Sequence, residues 1–533
     1  MAVHTASLES ESKTLNFMKR FACAGFIDRF ACAALLTVLL PASLLCQSLS
    51  DFEKNVTEFT LANGMHFIVV ERHEAPVVAF NTFANVGSVD DPGGLTGLAH
   101  MFEHMAFKGT EQIGTTDWPK EKQAMEQTEE DYDALQNEKD KGLHADPATV
   151  KKLQDRVTRD INLAQKYVVP NLYPQIIEVN GGTGLNAETG MDATQYFYKF
   201  PSNRLELWFL LESERFYDPV FREFYKERDV VREERRMRVE SEPQGQLQEA
   251  WMAAAFEAHP YHHSPGGWSS DIESLRLGDA IAFYKKYYAP SNISMAIVGD
   301  VNPKQAHALA DKYFGIIPAG KNPPPVNTVE PAQDGERRVN INSQAQPIEL
   351  IAYKRPDQLS ADDPVFDIVA EILSGGRTGT IYKDLVRDKK LALGAGAAPT
   401  VPGGKYPNLF ALYVAPNMGK SLDECETELY SVVDRLKTQK VDKETLDRVR
   451  TKLKASLIRK LDSNAGLAAE LNAYQVGYGD WRKLFTSLDE YNKVTADDVM
   501  RVAKQYFVPQ TRTVARLVTP QDNQPSGSEG AKN

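Results

Sequence analysis

The chain has 533 residues, which is too long for a single hydrophobic core. Of these residues, 42% are hydrophobic and 25% are charged, an ordinary composition for a soluble protein. Its formal net charge is −12 and its Lys and Arg residues form no basic cluster, which argues against binding to nucleic acid. Two or more domains are therefore expected.

Residues 1–50 have the pattern of a secretory signal peptide. Basic residues precede an apolar run at 30–45, which is short for a membrane span. We expect export to a bacterial periplasm, with an uncleaved N-terminal anchor as the alternative and Met18 as an alternative start. Three of the four cysteines lie in this segment and Cys425 is alone in the rest, so no disulfide can form within the body of the chain.

Strand signals and a long charged stretch come next. An Asn-Gly turn between extended runs predicts a β-hairpin over 60–70, and 76–86 continues as a strand. Residues 118–168 are dominated by Glu, Lys, Asp and Gln around a thin apolar stripe, with a break at 142–147. This composition is typical of a solvent-exposed helical hairpin, and we interpret the segment as an insertion.

A second hairpin and a series of helices complete the first half. Residues 183–189 and 194–200 flank a Gly-Met-Asp turn and are predicted to pair as strands. Helical patterns follow, and then a buried strand and one more helix. The predicted helices lie at 203–217, 221–243, 246–257 and 278–288, the strand at 293–298 and the last helix from Pro303.

Residues 317–336 are rich in Pro and Gly, lack periodicity and are predicted to be a linker. Similar elements recur after it in a similar order, which predicts that the second half is a degenerate copy of the first. The two domains are therefore expected at 51–316 and 337–520, with a polar tail at 521–533. The recurring elements are strands near 338–342 and 348–353, helices at 363–374 and 379–388, a strand pair over 391–415 and a last strand at 511–518.

The segment Gly97–Gly109 carries the strongest chemical signal, two histidines and a glutamate in the pattern H-x-x-E-H. On an α-helix, His100, Glu103 and His104 project from one face, so both imidazoles and the carboxylate share one small volume. Neutral imidazoles are zinc ligands, and a neighbouring carboxylate can act as the base for a water that the metal activates. The pattern is the inverzincin signature and needs a third ligand. Lone histidines on an apolar helix face are, by contrast, more often core residues.

Residues 97–110, Gly-Leu-Ala-His-Met-Phe-Glu-His-Met-Ala-Phe-Lys-Gly-Thr, resemble the core signature of the pitrilysin/insulinase/mitochondrial-processing-peptidase family of zinc peptidases. A second family motif, E-R-D-V-V-x-x-E, matches 227–234. The resemblance implies that Glu234 is the third zinc ligand and that Glu227 is a supporting acidic residue near the site. Glu233 is the rival ligand, but it points about 100° away around the helix. The charged stretch accounts for the unusually long interval between the two motifs.

The resemblance also implies where substrate and partner lie. Family members bind extended peptides along a sheet edge beside the metal, and Asn186 and Ala187 match the Asn-Ala pair on that edge. An opposing half supplies an Arg and a Tyr that orient substrate and stabilise the oxyanion. Arg387 matches the Arg, but Gly394 occupies the Tyr position, so either the alignment slips in this loop or the chain lacks the complete pair. We interpret the chain as the zinc-bearing half of a dimer and favour a heterodimer whose related partner supplies Arg and Tyr.

The implied fold is α+β, with two homologous domains that each contain a mainly antiparallel β-sheet covered by helices and together form half of a clamshell peptidase. The implied activity is that of a zinc-dependent endopeptidase with one Zn²⁺ per chain, which hydrolyses short or unfolded peptides with Glu103 as the base. Peptide substrates and a second chain are the expected partners. A non-catalytic peptidase-like scaffold and a peptide-binding subunit of a larger complex are the alternatives.

Overall fold

A computed structural model describes residues 52–519 of the chain. The predicted signal segment at 1–50 and the predicted tail at 521–533 lie outside these residues. Within the described part, no helix combines the length and the apolar character that crossing a membrane requires.

The first half of the chain forms a six-stranded sheet. Its strands are β1 (Val56–Thr60), β2 (His66–Glu71), β3 (Val77–Ala84), β4 (Thr183–Thr189), β5 (Thr194–Pro201) and β6 (Ile293–Gly299). They lie in the order β1-β2-β6-β3-β5-β4, and all neighbours are antiparallel except β2 and β6. Strand β4 is therefore at an edge of the sheet, where one row of its backbone N–H and C=O groups has no partner among the strands within residues 52–519.

The central strands β2, β6 and β3 are buried on both faces, which explains their largely apolar sequence. Successive side chains of a strand point in opposite directions, so each central strand contributes side chains to two hydrophobic cores. Phe67 and Ile297 pack with Trp208 of the first half. Ile68 packs on the other face, in a core that contains Trp481 of the second half.

Helices of the first half surround the sheet and carry most of the functional residues. They are α1 (Leu98–Met105), α2 (Trp118–Lys139), α3 (Pro147–Gln165), α4 (Leu172–Val179), α5 (Leu205–Tyr217), α6 (Phe224–Arg235), α7 (Pro243–Ala255), α8 (Ser269–Ser274), α9 (Leu277–Tyr287) and α10 (Pro303–Tyr313). A π-helical stretch, Arg236–Glu240, follows α6, where the sequence predicted one helix over 221–243.

Helices α2 and α3 with their connection form a helical hairpin, which we call the charged hairpin. The expectation that it is solvent-exposed is wrong for one face. Tyr132 and Leu135 of α2 are buried, and so is the charged side chain of Glu121. This face packs against α6, the helix that carries the second acidic motif.

The second half of the chain forms a five-stranded sheet. Its strands are β7 (Arg337–Asn342), β8 (Ile348–Arg355), β9 (Ala392–Val401), β10 (Asn408–Pro416) and β11 (Arg512–Val518). Its helices are α11 (Asp363–Ser374), α12 (Leu422–Thr438), α13 (Lys443–Asp462), α14 (Asn464–Tyr478), α15 (Lys483–Lys493) and α16 (Ala496–Tyr506), with a π-helical stretch at Tyr382–Asp388.

The strand order of this second sheet, β7-β11-β8-β10-β9, is that of the first sheet without β1. Only β7 and β11 are parallel, as only β2 and β6 are parallel in the first sheet. The predicted α+β class with two homologous, mainly antiparallel sheets is thus confirmed.

Each half lends a helix to the other. Helix α7 packs on β7 and β11, where the indole of Trp251 donates to the carbonyl of Thr513 at 3.3 Å. Helix α14 packs on β3 and β6. There the Asn472 amide donates to the Asn81 carbonyl at 2.7 Å and accepts from the Ser294 hydroxyl at 2.9 Å. The two sheets are therefore held together by buried contacts in both directions.

Candidate active site

Helix α1 carries the H-x-x-E-H motif and begins at a buried acidic cap. Gly97 has φ +94°, a conformation that favours glycine, and starts the helix. The Asp91 carboxylate accepts from the backbone N–H groups of Gly97 at 2.8 Å and Ala99 at 2.9 Å, which would otherwise lack partners. Burial raises the pKa of Asp91 well above its ordinary value. This cap, which fixes where the motif helix begins, was not predicted from the sequence.

Helix α6 lies against α1 and brings a carboxylate to the two histidines. The distance from Glu234 Oε2 to His104 Nε2 is 3.4 Å, and to His100 Nε2 it is 3.8 Å. The ligand atoms of the three residues all lie within 4.8 Å of one another, and no other such group occurs among residues 52–519. Glu233 points away and pairs with Arg236 instead. The structure thus places Glu234, and not its neighbour, at the histidines.

A second carboxylate of α6 orients His104. Glu227 Oε2 lies 3.4 Å from His104 Nδ1. When Glu227 accepts the Nδ1 proton, the lone pair of Nε2 faces Glu234, the orientation that carboxylate–histidine–metal sites use. The ammonium group of Lys108 binds Glu227 at 2.5 Å and Glu223 at 3.0 Å. Lys108 lies in the motif segment, but this role was not predicted from the sequence.

The protonation states of the cluster follow from these contacts. Burial and the nearby His104 lower the pKa of His100 to about 4, so this ring is neutral. Burial disfavours the charged form of His104, but hydrogen bonds with Glu227 and Glu234 raise its pKa to about 9. The hydrogen bond with His104 holds the pKa of Glu234 at about 2. The carboxylates of Glu227 and Glu234 therefore favour a positive charge between the three ligand atoms, and in this structure a proton on His104 supplies it.

These residues fit a zinc ion. Two imidazoles and one carboxylate are a ligand set of catalytic zinc sites. The Nδ1 atom of His100 is buried and has no hydrogen-bond partner among the described residues, and its Nε2 faces the cluster. The Nε2 atoms of His100 and His104 both face the Glu234 carboxylate, so three donor atoms converge where a zinc ion would be held.

Glu103 lies beside the cluster but outside the set of three ligands. Burial raises its pKa, although hydrogen bonds from Thr189 at the end of β4 oppose the shift. It lines an open cavity of about 400 Å³, together with His104 and Phe107 of the motif segment. Asn186 and Ala187 of the edge strand β4 line the same cavity, so the structure brings the predicted base and the predicted substrate edge together.

One wall of this cavity was not anticipated. Residues 168–172 and 174, in the connection from the charged hairpin and at the start of α4, also line it, mostly with apolar side chains. Nothing in the local sequence marks this segment, because its position depends on how the charged hairpin packs.

Models of known families match most of the chain. The model described as Insulinase (Peptidase family M16) matches residues 67–145 and 164–265. The model described as Peptidase M16 inactive domain matches residues 274–453. The chain belongs to the M16 peptidase family. The first match skips residues 146–163 in α3, so part of the charged hairpin has no counterpart in the M16 model.

Individual M16 proteins agree with this assignment. A zinc protease PqqE of Helicobacter pylori is 27% identical over 484 residues, which cover 89% of this chain and 94% of the relative. The crystal structure of a protease from Helicobacter pylori matches with a TM-score of 0.72 and 25% identity, over 87% of this chain and 99% of that one. The periplasmic protease PqqL of Escherichia coli shares the fold, with a TM-score of 0.65 and 17% identity, and this chain covers 48% of its length.

In this M16 chain, Arg387 does not join the cavity. Its side chain is 56% exposed and its guanidinium pairs with the neighbouring Asp388 at 2.6 Å. Gly394 lies in the edge strand β9, where a side chain would meet open space. On the same face, two residues along, the half-exposed ring of Tyr413 lies over Gly396. The Tyr413 phenol therefore lies on the same face of the second sheet as Gly394, the position at which the family pattern has a Tyr.

Proposed function

We propose that this M16 chain is a zinc-dependent endopeptidase that hydrolyses short or unfolded peptides. The observation that carries the proposal is the convergence of His100, His104 and Glu234 beside Glu103 and an open sheet edge. The names of its relatives, zinc proteases of the same family, agree with it.

His100, His104 and Glu234 would hold the metal, and Glu103 would act as the base. When bound, a zinc ion supplies a Lewis acid that acidifies water and polarises a peptide carbonyl. Glu103 accepts a proton from the attacking water and delivers it to the leaving amine. Its raised pKa suits both transfers, because such a carboxylate takes up a proton more readily than an exposed one. Glu227 is a positioning residue that acts through the Nδ1 atom of His104.

Strand β4 would bind the substrate as an added strand. Its outer edge has no partner among the described strands, and Asn186 and Ala187 place it beside Glu103. Only a peptide that is already extended can pair with a sheet edge in this way. The preference for short or unfolded substrates follows from this geometry.

A second chain would enclose the open cavity beside Glu103 and complete the active site. The chain covers about half of PqqL, and neither Arg387 nor Tyr413 lies among the residues that line its own cavity. A related partner that supplies Arg and Tyr is one solution. A second copy, which would offer Arg387 and Tyr413 from its opposing face, is the other. The signal-like segment at 1–50 and the periplasmic location of PqqL support export to the periplasm.

The proposal is tested with a quenched, unstructured peptide and the variant Glu103→Gln, which keeps the shape of the side chain. We expect at least a 100-fold loss of turnover with zinc affinity retained, since the base is removed and the ligands are not. Glu233→Gln is the matched control, because Glu233 pairs only with Arg236 at the surface. Cleavage by Glu103→Gln at the wild-type rate would show that Glu103 is not the base.

The same assay tests the partner. Activity of the wild-type chain that rises with the square of its concentration indicates two copies, whereas activity that appears only after mixing with a related chain indicates a heterodimer. Full activity of a chain that remains monomeric would rule out both arrangements.

A further inference from the structure

The charged hairpin is linked to the metal site by a series of contacts that begins with a buried ion pair. Glu121 of α2 accepts from Nε of Arg222 at 2.8 Å, and the two side chains are 0% and 1% exposed. A buried ion pair contributes little net stability, and losing one partner leaves the other charge buried and uncompensated. Net stability therefore does not explain why this ion pair attaches the hairpin. The other contacts of Arg222 suggest a role for the pair.

Arg222 organises the loop that follows the motif helix. Its guanidinium donates to the carbonyl of Thr110 at 2.7 Å, to that of Ile113 at 2.8 Å and also to that of Lys108. Gly114 has φ +98°, and a Cβ atom there would lie 2.7 Å from the guanidinium. The loop is thus wrapped closely around the arginine, with carbonyl oxygens pointing at its charge.

From this loop a continuous series of contacts leads to a ligand. Arg222 holds the backbone of Lys108, whose ammonium group binds Glu227, whose carboxylate in turn meets Nδ1 of His104 at 3.4 Å. Each member has few alternatives, because the side chains of Lys108, Glu227 and His104 are largely buried.

Two further contacts fix the rotation of α6 from the same side. The Tyr225 hydroxyl donates to Glu129 of the charged hairpin at 2.8 Å, and its ring lies 4.1 Å from that of Tyr132. The guanidinium of Arg228 lies 5.1 Å from both rings. Tyr225 and Arg228 are three residues apart on α6 and present one side to α2, whereas Glu227 and Glu234 face α1.

We propose that the charged hairpin positions the metal centre, with Glu121 and Arg222 as positioning residues that act through Lys108 and Glu227 on His104. The charged hairpin then contributes to the geometry of the metal site and is not only a surface insertion. This inference rests on the proposed function in one respect, that the cluster binds zinc.

The test compares zinc affinity with stability. In Glu121→Gln, we expect zinc affinity, measured by competition with a chromophoric chelator, to fall about tenfold or more, as for other residues that orient metal ligands. Asp155→Asn is the matched control, because Asp155 lies in the same hairpin, is 69% exposed and pairs only with Lys151. It should bind zinc like the wild type.

The double variant Glu121→Leu/Arg222→Met separates positioning from stability and carries the test if Glu121→Gln fails to fold. Apolar replacement leaves neither charge of the pair buried alone, so the metal-free double variant should fold, with a thermal midpoint lowered by the three loop carbonyls that lose their donor. Its zinc affinity should still be reduced, since the carbonyls of the loop have lost their guanidinium.

Wild-type zinc affinity in a folded Glu121→Gln or in the double variant would overturn the inference. A wild-type chain that binds no zinc would instead contradict the proposed function, so the two failures are distinguishable.

Discussion

Replacing Glu227 with Gln tests how the site orients its second histidine. The change keeps the size of the side chain and an oxygen that can accept the Nδ1 proton of His104, which lies 3.4 Å away, but it removes the charge. A hydrogen bond to a charged acceptor contributes about 1.5–3 kcal/mol and a neutral one about 0.5–1.5 kcal/mol. The expected cost is therefore about 1–1.5 kcal/mol, which corresponds to a roughly tenfold loss of zinc affinity.

The assay is competition for zinc between the purified chain and a chromophoric chelator at neutral pH. Lys108 keeps Glu223 as a partner at 3.0 Å in this variant, so no buried charge is left alone. Glu233→Gln serves as the control and should leave the affinity unchanged. Equal affinities of wild type and Glu227→Gln, or an equal loss in the control, would refute the role of Glu227.

Two further predictions concern the substrate edge and the pH dependence of stability. Asn186→Ala should raise KM for an unstructured peptide about fivefold and leave zinc affinity unchanged, because the side chain lines the cavity without contacting the ligands. Burial raises the pKa of Glu349 to about 7, although Arg516 lies 2.8 Å away. The folded chain therefore keeps a proton that the unfolded chain has released above about pH 4.3, and stability falls as pH rises towards 7. Glu349→Gln should accordingly be more stable than wild type at pH 8, by up to about 3 kcal/mol, and equally stable at pH 4.5, as measured by urea unfolding; a variant less stable at pH 8 would contradict this sign.

The sequence predicted the elements that depend on local patterns. The Asn-Gly turn, the Gly-Met-Asp turn and the extended runs predicted β2 to β6 of the first sheet, and the helix at Asp363–Ser374 lies where it was predicted. The three proposed ligand positions follow from the H-x-x-E-H spacing on α1 and, for Glu234, from the family motif that residues 227–234 resemble. The end of α6 was missed, because the change to π-helical geometry after Arg235 has no local signal.

The contacts that support the site could not be read in the same way. Asp91 caps α1 from outside the motif, and Glu121 meets Arg222 from 101 positions away. Charged residues in a polar stretch are usually solvated, so composition predicted an exposed hairpin. Tertiary packing reversed that expectation at Glu121, whose carboxylate is buried against the guanidinium of Arg222.

The central claim, that the chain is a zinc peptidase, is tested most directly by titrating the metal-free chain with zinc while following cleavage of an unstructured peptide. The related partner is included if mixing has shown that one is required. We expect cleavage to rise from zero and to reach its plateau at one zinc ion per chain that carries His100, His104 and Glu234. Cleavage that is independent of zinc, or zinc saturation without any cleavage, would contradict it.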